Sequence, residues 1–444
     1  MKPQFPHILL VNPWIHDFAA YDVWAKPYGL LWLAGILRAH GFSVSYIDCL
    51  DRFHPRNNPV DPAKRGGRGP YLKERLAKPE GLFDVPRYFS RYGIRPEWFR
   101  QDLAQSPNPD LILVTGLMTY WYPGVAETVR ELRHFFPEAP VVLGGIYATL
   151  CRDHAKRATG ATAIFEGAAA DQILGVVEKY TGRAKAQRFD SDNLDSYPCP
   201  AFDLQREIGY VPLLTSLGCP YSCDYCASNI LQPRRMLKSP EHVLGEIRYW
   251  YDNYGVKNFA FYDDALLVNS EKHAVPLFER IIGAGLDIRL HTPNAVHIRE
   301  ITKKTARLMA AAGVSTLRLG LETLDFDRRT MDRKVREGEF FQAAAYLREA
   351  GFTSDRLGAY LLVGLPGQEM AAVENAIRMV KQTGIAPILA YYSPIPQTAM
   401  WPAAVRASRY DLEADPIYTN NAIFPCQPAF NWQQLSRLKR LTAS

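Results

Sequence analysis

The sequence has no long hydrophobic run. Nowhere in its 444 residues is there a stretch of the roughly 18 uninterrupted apolar residues that a membrane helix needs. The best candidate, Tyr28 to Leu37, stops at Arg38. A membrane span is therefore not expected. The amino terminus, Met-Lys-Pro-Gln-Phe-Pro-His, runs into a strand pattern without an apolar signal-peptide core, so a cytoplasmic location is expected. Internal repeats and low-complexity tracts are also missing. Cysteine is scarce, with seven residues, and in a reducing compartment these read as thiols or ligands rather than a disulfide framework. Neither sign of charge dominates: 52 Lys+Arg against 46 Asp+Glu leave +6. Hydrophobic content of 47% and charged content of 22% exclude disorder, collagen and coiled coil as whole-chain readings. The length predicts two or three domains, each large enough for its own core.

Residues 51–105 carry most of the charge excess, with twelve Lys/Arg against seven Asp/Glu, or +5. Eight aromatics are interleaved, among them Tyr71, Phe89, Trp98 and Phe99. Basic residues among aromatics suit nucleic acid. Pro and Gly break the window, however, and no nucleic-acid module is visible. It reads as a polar insertion packing its aromatics on a domain; an acidic substrate is a third reading.

Along the chain, short apolar runs alternate with helical periodicity. Strands are expected at His7–Val11, Ser43–Ile47, Asp110–Thr115, Val141–Leu143 and Ala163–Phe165. Helices are expected at Tyr28–His40, at about Pro123–Phe136, and ending at Tyr180. Strands apolar on both faces predict a doubly wound parallel sheet over 1–181, with ligands at the carboxyl ends of its strands. Residues 182–209 lose the rhythm and read as a linker. A second alternation follows over 210–402. Its strands are expected at 210–217, 257–262, 287–291, 315–320, 357–363 and 386–392, with helices such as Pro240–Tyr254 and Ala306–Ala312 between them. Six βα units predict a full or partial parallel barrel, whose chemistry lies on the loops after the strands. Residues 403–444 form a tail with two short helical patches.

The strongest local signal is Cys219-Pro-Tyr-Ser-Cys223-Asp-Tyr-Cys226, just after the first strand of this second alternation. Three thiolates within eight residues suit one metal centre. Structural zinc wants four ligands, so it needs a distant fourth. A four-iron cube usually takes four cysteines, and three leave one iron open to an external ligand. Three unconnected buried cysteines are the remaining reading.

CxxxCxxC in this position resembles the signature of the radical S-adenosylmethionine (SAM) superfamily, and the likeness runs along the whole second half. Tyr225 matches the aromatic near the adenine. Phe259-Ala-Phe-Tyr-Asp263-Asp264 resembles the second-strand end of the cobalamin-associated branch. Leu319-Gly320-Leu321-Glu322-Thr323 resembles the fourth-strand motif whose carboxylate contacts SAM. Gly358 to Gly367, including Gly364 and Pro366, resembles the fifth-strand GLPG motif. Ser393-Pro394-Ile395-Pro396-Gln397-Thr398 resembles the sixth-strand motif, with Gln397 where the family has Gly. The resemblance implies a partial (β/α)6 barrel holding a 4Fe-4S cluster on Cys219, Cys223 and Cys226. It also implies SAM bound by Tyr225, Asp263, Asp264, Glu322, Gly364 and Pro366. The strand-end carboxylates have a second reading as helix caps, and the glycines as turn residues. The implied chemistry is reductive cleavage of SAM to methionine and a 5′-deoxyadenosyl radical, fed by an external reductant of flavodoxin or ferredoxin type.

The first half resembles the Rossmann-like cobalamin-binding domain. Thr115-Gly116-Leu117 matches its S-x-L strand end, and Gly144-Gly145 its G-G. Where such domains carry D-x-H-x-x-G, this chain reads Asn12-Pro13-Trp14-Ile15-His16-Asp17, so the cobalt-ligating histidine is replaced by Trp14. The resemblance implies cobalamin held by Asn12, Trp14, Thr115, Gly116, Leu117, Gly144 and Gly145, with Trp14 against the lower corrin face. Tyr120, Trp121 and Tyr122 would line the upper face or pack as core. His291, Asn294 and Cys426 are candidates for substrate contact, while Cys49, Cys151 and Cys199 read as inert thiols. The implied reaction is methyl transfer by way of cobalt to an unactivated carbon of a small molecule or peptide. Ring formation or rearrangement without methylation is one alternative, and a zinc-stabilised nucleic-acid-binding protein is the other. Neither a nucleic-acid nor a membrane partner is expected.

Overall fold

The computed structural model describes residues 5–326, 329–427 and 432–443. The chain forms two compact units: residues up to Gly209 together with Ala414–Tyr418, and Tyr210–Glu413 together with the tail from Thr419. Among the described residues no helix is long and apolar enough to cross a membrane.

The first unit is built on a five-stranded parallel sheet of β1 (His7–Asn12), β2 (Ser43–Asp48), β3 (Leu111–Gly116), β4 (Val141–Gly145) and β5 (Ala163–Ile164), in the order β5-β4-β3-β1-β2. This is the doubly wound, Rossmann-like sheet that the run HILLV and its partners predict: every residue of β1 is buried. Helix α1 (Tyr28–Ala39) and helix α2 (Tyr122–Phe135) are two of the crossovers. The stretch 182–209, expected as a linker, packs along α1. Ala201 N donates to Leu31 O, and Trp32 Nε1 donates to Pro198 O. Gly35 is bare because a Cβ there would stand 2.0 Å from the Cys199 carbonyl.

The basic insertion is a folded cap on this unit. Lys73–Arg75 and Ile15–Asp17 both pair with Ser90–Tyr92 in a small antiparallel sheet, and Phe99 enters the main core beside Trp14. Four of its arginines are engaged within the unit. Arg68 lies over Trp24 and Arg75 over Tyr88. Arg91 forks onto Glu127 at 2.7 and 3.0 Å. Arg52 is buried and donates to the carbonyls of Gly67, Arg68 and Pro70. These four guanidinium groups are thus covered by aromatic rings, a carboxylate or backbone carbonyls of the same unit.

The second unit holds a six-stranded parallel sheet in sequential order: β6 (Val211–Leu213), β7 (Asn258–Phe261), β8 (Arg289–Val296), β9 (Val314–Glu322), β10 (Leu357–Val363) and β11 (Ala386–Tyr391). Helices lie between the strands, as a partial (β/α)6 barrel requires. The segment expected as one strand over 210–217 is broken. Ser216–Leu217 leaves the parallel ladder and pairs antiparallel with Met236–Leu237. The break falls at Thr215, whose backbone N–H is taken by the Asp263 carboxylate at 3.2 Å. In the tail, Trp401–Ala407 and Trp432–Ala443 are helical; residues 428–431 and 444 of the expected tail lie outside the described residues.

Candidate active site

The cysteine loop spans the gap between the two short antiparallel strands. Gly218 opens it at φ 73°, where a Cβ would meet the Arg234 carbonyl at 2.7 Å. Cys226 N donates to Cys223 O at 3.0 Å, which turns the loop between these two cysteines. Cys219 and Cys223 are half-buried, Cys226 is exposed, and none forms a disulfide. Burial pushes the Cys223 thiol up to about 11 against the pull of Lys334. Burial also raises Cys219. Loading a metal here therefore releases protons. A single tetrahedral zinc with bonds of about 2.3 Å would hold its sulfurs about 3.8 Å apart. The three sulfurs are not gathered within 4.8 Å of one another, wider than that spacing.

Beside the loop lies a cavity of about 180 Å³ lined by Glu322, Thr323, Met331, Leu361, Pro366 and Met400, among others. The cavity is tied to the loop through Asp224, whose N–H donates to Met331 O at 2.9 Å and whose carbonyl accepts from Met400 N at 2.8 Å. Glu322 ends β9 at φ 66°, and its carboxylate meets Lys334 Nζ at 2.6 Å, both side chains being buried. Burial alone would push the Lys334 ammonium down; the Glu322 charge more than offsets it. Lys334 also lies 5.5 Å from the Tyr225 ring centroid. The Tyr225 hydroxyl points to Asp332, whose carboxylate is clamped by Arg329. Burial, then the Glu322 charge, raises the Tyr225 phenol well above its ordinary range. Gly364 and Gly367 have positive φ, and Gly364 N donates to Gln368 Oε1. Gln397 has a positive φ of 69°, a conformation uncommon for a residue with a side chain.

The two neighbouring aspartates part company. Asp263 is buried and accepts from Thr215 N, Thr215 Oγ1 and Ser216 Oγ, which makes it the latch of the β6 break. Asp264 is half-buried and reaches the cysteine loop. Burial raises its carboxyl, the Ser228 hydroxyl opposes this, and its charge is felt at Cys219.

The substrate candidates sit elsewhere. His291 is buried between Thr316 Oγ1 and Asn258 Oδ1, and Asn294 donates to Tyr262 O. Cys426 is buried against the Ala404 carbonyl, its thiol pushed up to about 12 by burial. None of the three lines the cavity.

In the first unit, Trp14 is not on a ligand face. It is fully buried, edge-on to Phe99, with Nε1 donating to Ile94 O at 2.7 Å. Asn12 donates to Asp48 Oδ1 and joins β1 to β2. Thr115, Gly116 and Leu117 end β3, and Leu117 with Met118 is exposed. Gly145 has φ 92° and no room for a Cβ, whereas Gly144 has only Phe165 near, at 3.9 Å. Of the three aromatics after Leu117, Tyr120 is buried, Trp121 donates to Asp17, and Tyr122 donates to Asp415.

Sequence reasoning missed Lys334, Arg329 and Asp332, on the long loop after β9, and His297, just past β8. The only advance signal was the density of charge in Asp325 to Arg336, which names no single residue.

The second unit thus sets three free thiols on the loop after the first strand of a parallel α/β sheet, next to a cavity lined by a buried carboxylate. Residues 213–380 match the model described as the Radical SAM superfamily. The chain is 26% identical over 332 residues to an uncharacterized methyltransferase of Pyrococcus horikoshii, covering 67% of this chain and 70% of that protein. It is 26% identical over 227 residues to the hopanoid C-2 methylase of Rhodopseudomonas palustris, covering 49% of this chain and 42% of that one. Among solved structures, the radical SAM methyltransferase TsrM of Kitasatospora setae, with cobalamin and a [4Fe-4S] cluster bound, superposes with TM-score 0.67 at 15% identity. That match covers 99% of this chain and 91% of TsrM; at this identity it is the fold that is shared.

Proposed function

We propose that the chain is a cobalamin-dependent radical SAM methyltransferase, acting on an unactivated carbon of a small molecule or peptide and fed by an external one-electron reductant. One observation carries the reading: in a single unit, Asp224 of the three-thiol loop is bonded directly to two residues that line the Glu322 cavity.

The donor set suits a 4Fe-4S cluster, with Cys219, Cys223 and Cys226 on three irons. When bound, the cluster supplies one electron to the sulfonium of SAM, and the C5′–S bond breaks to methionine and a 5′-deoxyadenosyl radical. The chain's own residues bind and orient. Glu322 is the carboxylate for the α-ammonium of SAM, in exchange for Lys334. Tyr225 offers an aromatic face. The Gly364–Pro366–Gly367 turn lets backbone approach the nucleoside. Asp264, not Asp263, is the aspartate free to take part.

The strand ends of β3 and β4 suit a flat, bulky group. Leu117 and Met118 offer exposed apolar contact, and Gly144 leaves space where a side chain would stand. Cobalamin bound there supplies a cobalt that carries a methyl group. Trp14, buried in the core, offers no imidazole in that register, and His16 nearby is paired with Glu127.

Anaerobic reconstitution with iron, sulfide and hydroxocobalamin tests the reading. A brown protein that retains corrinoid, cleaves SAM under dithionite and adds one methylene's mass to its substrate is expected, and Cys223→Ala should lose both colour and cleavage. Cluster and cleavage without corrinoid would point to ring-forming or rearranging chemistry. Cys223→Ala that keeps either property would overturn the proposal.

A further inference from the structure

Outside the Glu322 cavity lies a buried imidazole with one nitrogen unpartnered among the described residues. His297 follows β8 immediately, is only 7% exposed, and puts Nε2 4.0 Å from Cys219 Sγ. Its other nitrogen, Nδ1, is buried and has no hydrogen-bond partner among the described residues. The ring is held in place on two sides. It stacks on Tyr221 of the cysteine loop, centroids 4.6 Å apart and planes 29° apart. The Tyr221 hydroxyl in turn donates to Glu300 Oε1 at 3.1 Å, on the turn that His297 opens.

Building on the cluster assignment proposed above, we propose that His297 donates its Nε2–H to the iron-bound thiolate of Cys219 and so tunes the reduction potential of the cluster. A metal-bound thiolate carries no proton and accepts only, so the nitrogen facing it must be the donor. The neutral ring has a single N–H, and the unpartnered Nδ1 identifies where that proton is not. A buried lone pair without a partner is tolerated more readily than a buried N–H without one. The stack on Tyr221 fixes the ring plane, as partners outside the ligand set do for metal ligands generally. Hydrogen bonds to cluster sulfurs are among the levers that set the potential. Donation draws charge from the thiolate, favours the reduced cluster and raises the potential. His297 is thus a positioning and tuning residue rather than a ligand.

The test is a redox titration of the reconstituted full chain, followed by the electron paramagnetic resonance of the reduced cluster, without substrate. His297→Leu should keep wild-type iron and sulfide content and shift the midpoint to a more negative value. His297→Gln, which retains a donor, should stay closer to wild type. Equal midpoints in wild type and His297→Leu at equal iron content overturn the inference alone. A second measurement needs no variant: with ¹⁵N-histidine, electron–nuclear double resonance of the wild-type reduced cluster should show a histidine nitrogen and an exchangeable proton coupled to it. Their absence overturns the inference even if His297→Leu fails to fold. A wild-type chain that takes up zinc on Cys219, Cys223, Cys226 and His297, or takes up no cluster, overturns this inference and the parent reading together.

Discussion

Replacing Lys334 by Met tests the buried ion pair made by Glu322 of the cavity. Lys334 Nζ is the only hydrogen-bond partner of the Glu322 carboxylate among the described residues, at 2.6 Å, with 11% and 8% of the two side chains exposed. Removing one member of such a pair leaves a charge without compensation, which costs about 3–5 kcal/mol. Replacing both by neutral groups of similar shape is close to neutral. Lys334→Met should therefore lower the stability of the second unit by about 3 kcal/mol or more, and Glu322→Gln/Lys334→Met should regain most of it. The readout is amide hydrogen exchange of β9 and β10 in the metal-free full chain under increasing urea, since two units need not unfold in one transition. A single variant within about 0.5 kcal/mol of wild type, as for an ordinary surface change, would refute the reasoning. So would a double variant no better than the single. The same set separates stability from binding: if Glu322 takes the SAM ammonium, the double variant should be stable yet bind SAM at least about tenfold more weakly, the scale of a lost charged hydrogen bond.

Two further outcomes follow from the first unit and the tail. In Glu127, burial alone would raise the carboxyl, but hydrogen bonds from His16 and Arg91 and the Arg91 charge bring it down to about 2, against an ordinary 4.5. A depressed carboxyl stabilises above its unfolded value and loses that contribution as the pH falls through the folded one. The first unit should therefore lose about 3 kcal/mol between pH 4.5 and pH 2 through this group. The Glu127→Gln variant should show a flatter acid limb in its unfolding midpoint, and an unchanged limb would count against the pair. Cys426, buried with its thiol at about 12, should resist iodoacetamide in the native metal-free chain while exposed Cys226 reacts. Equal rates by peptide mass spectrometry would show that the tail opens.

Much of this was legible because some signals have one physical meaning. The run HILLV is apolar on both faces, which only a strand covered on both sides accommodates, and β1 is such a strand. The spacing Cys219-x₃-Cys223-x₂-Cys226 places three thiols on one curl of chain whatever surrounds it. Signals with two meanings were not resolved by sequence. Trp14 occupies a family ligand position, but a large aromatic is also the best filler of a core, and Phe99 from the distant insertion completes that core. Asp263 and Asp264 are adjacent and chemically identical; only the break at Thr215 decides which of them is consumed. Lys334 and His297 were invisible for a different reason, since their roles depend on loops whose course no local pattern dictates.

The backbone at Glu322 shows how these pieces depend on one another. The pairing of β9 with β10 slips between Gly320 and Glu322, so that Gly320 faces Tyr360 while Glu322 faces Leu361. The Glu322 carboxylate stays on the side of Gly320, where a Cβ would stand 3.3 Å from Glu322 Oε1, and Glu322 itself lines the cavity beside Leu361. The side chain is held there at φ 66°, a conformation that costs a non-glycine residue about 1–2 kcal/mol. Such a conformation persists only where its surroundings over-determine it. The Lys334 pair and the bareness of Gly320, where a Cβ would crowd Lys334 Nζ at 3.2 Å, are those surroundings. The ion pair is therefore more than a placeholder for a ligand's ammonium. It keeps a strained carboxylate in the cavity lining, so that the ammonium exchange proposed for Glu322 would need no rebuilding of the strand end.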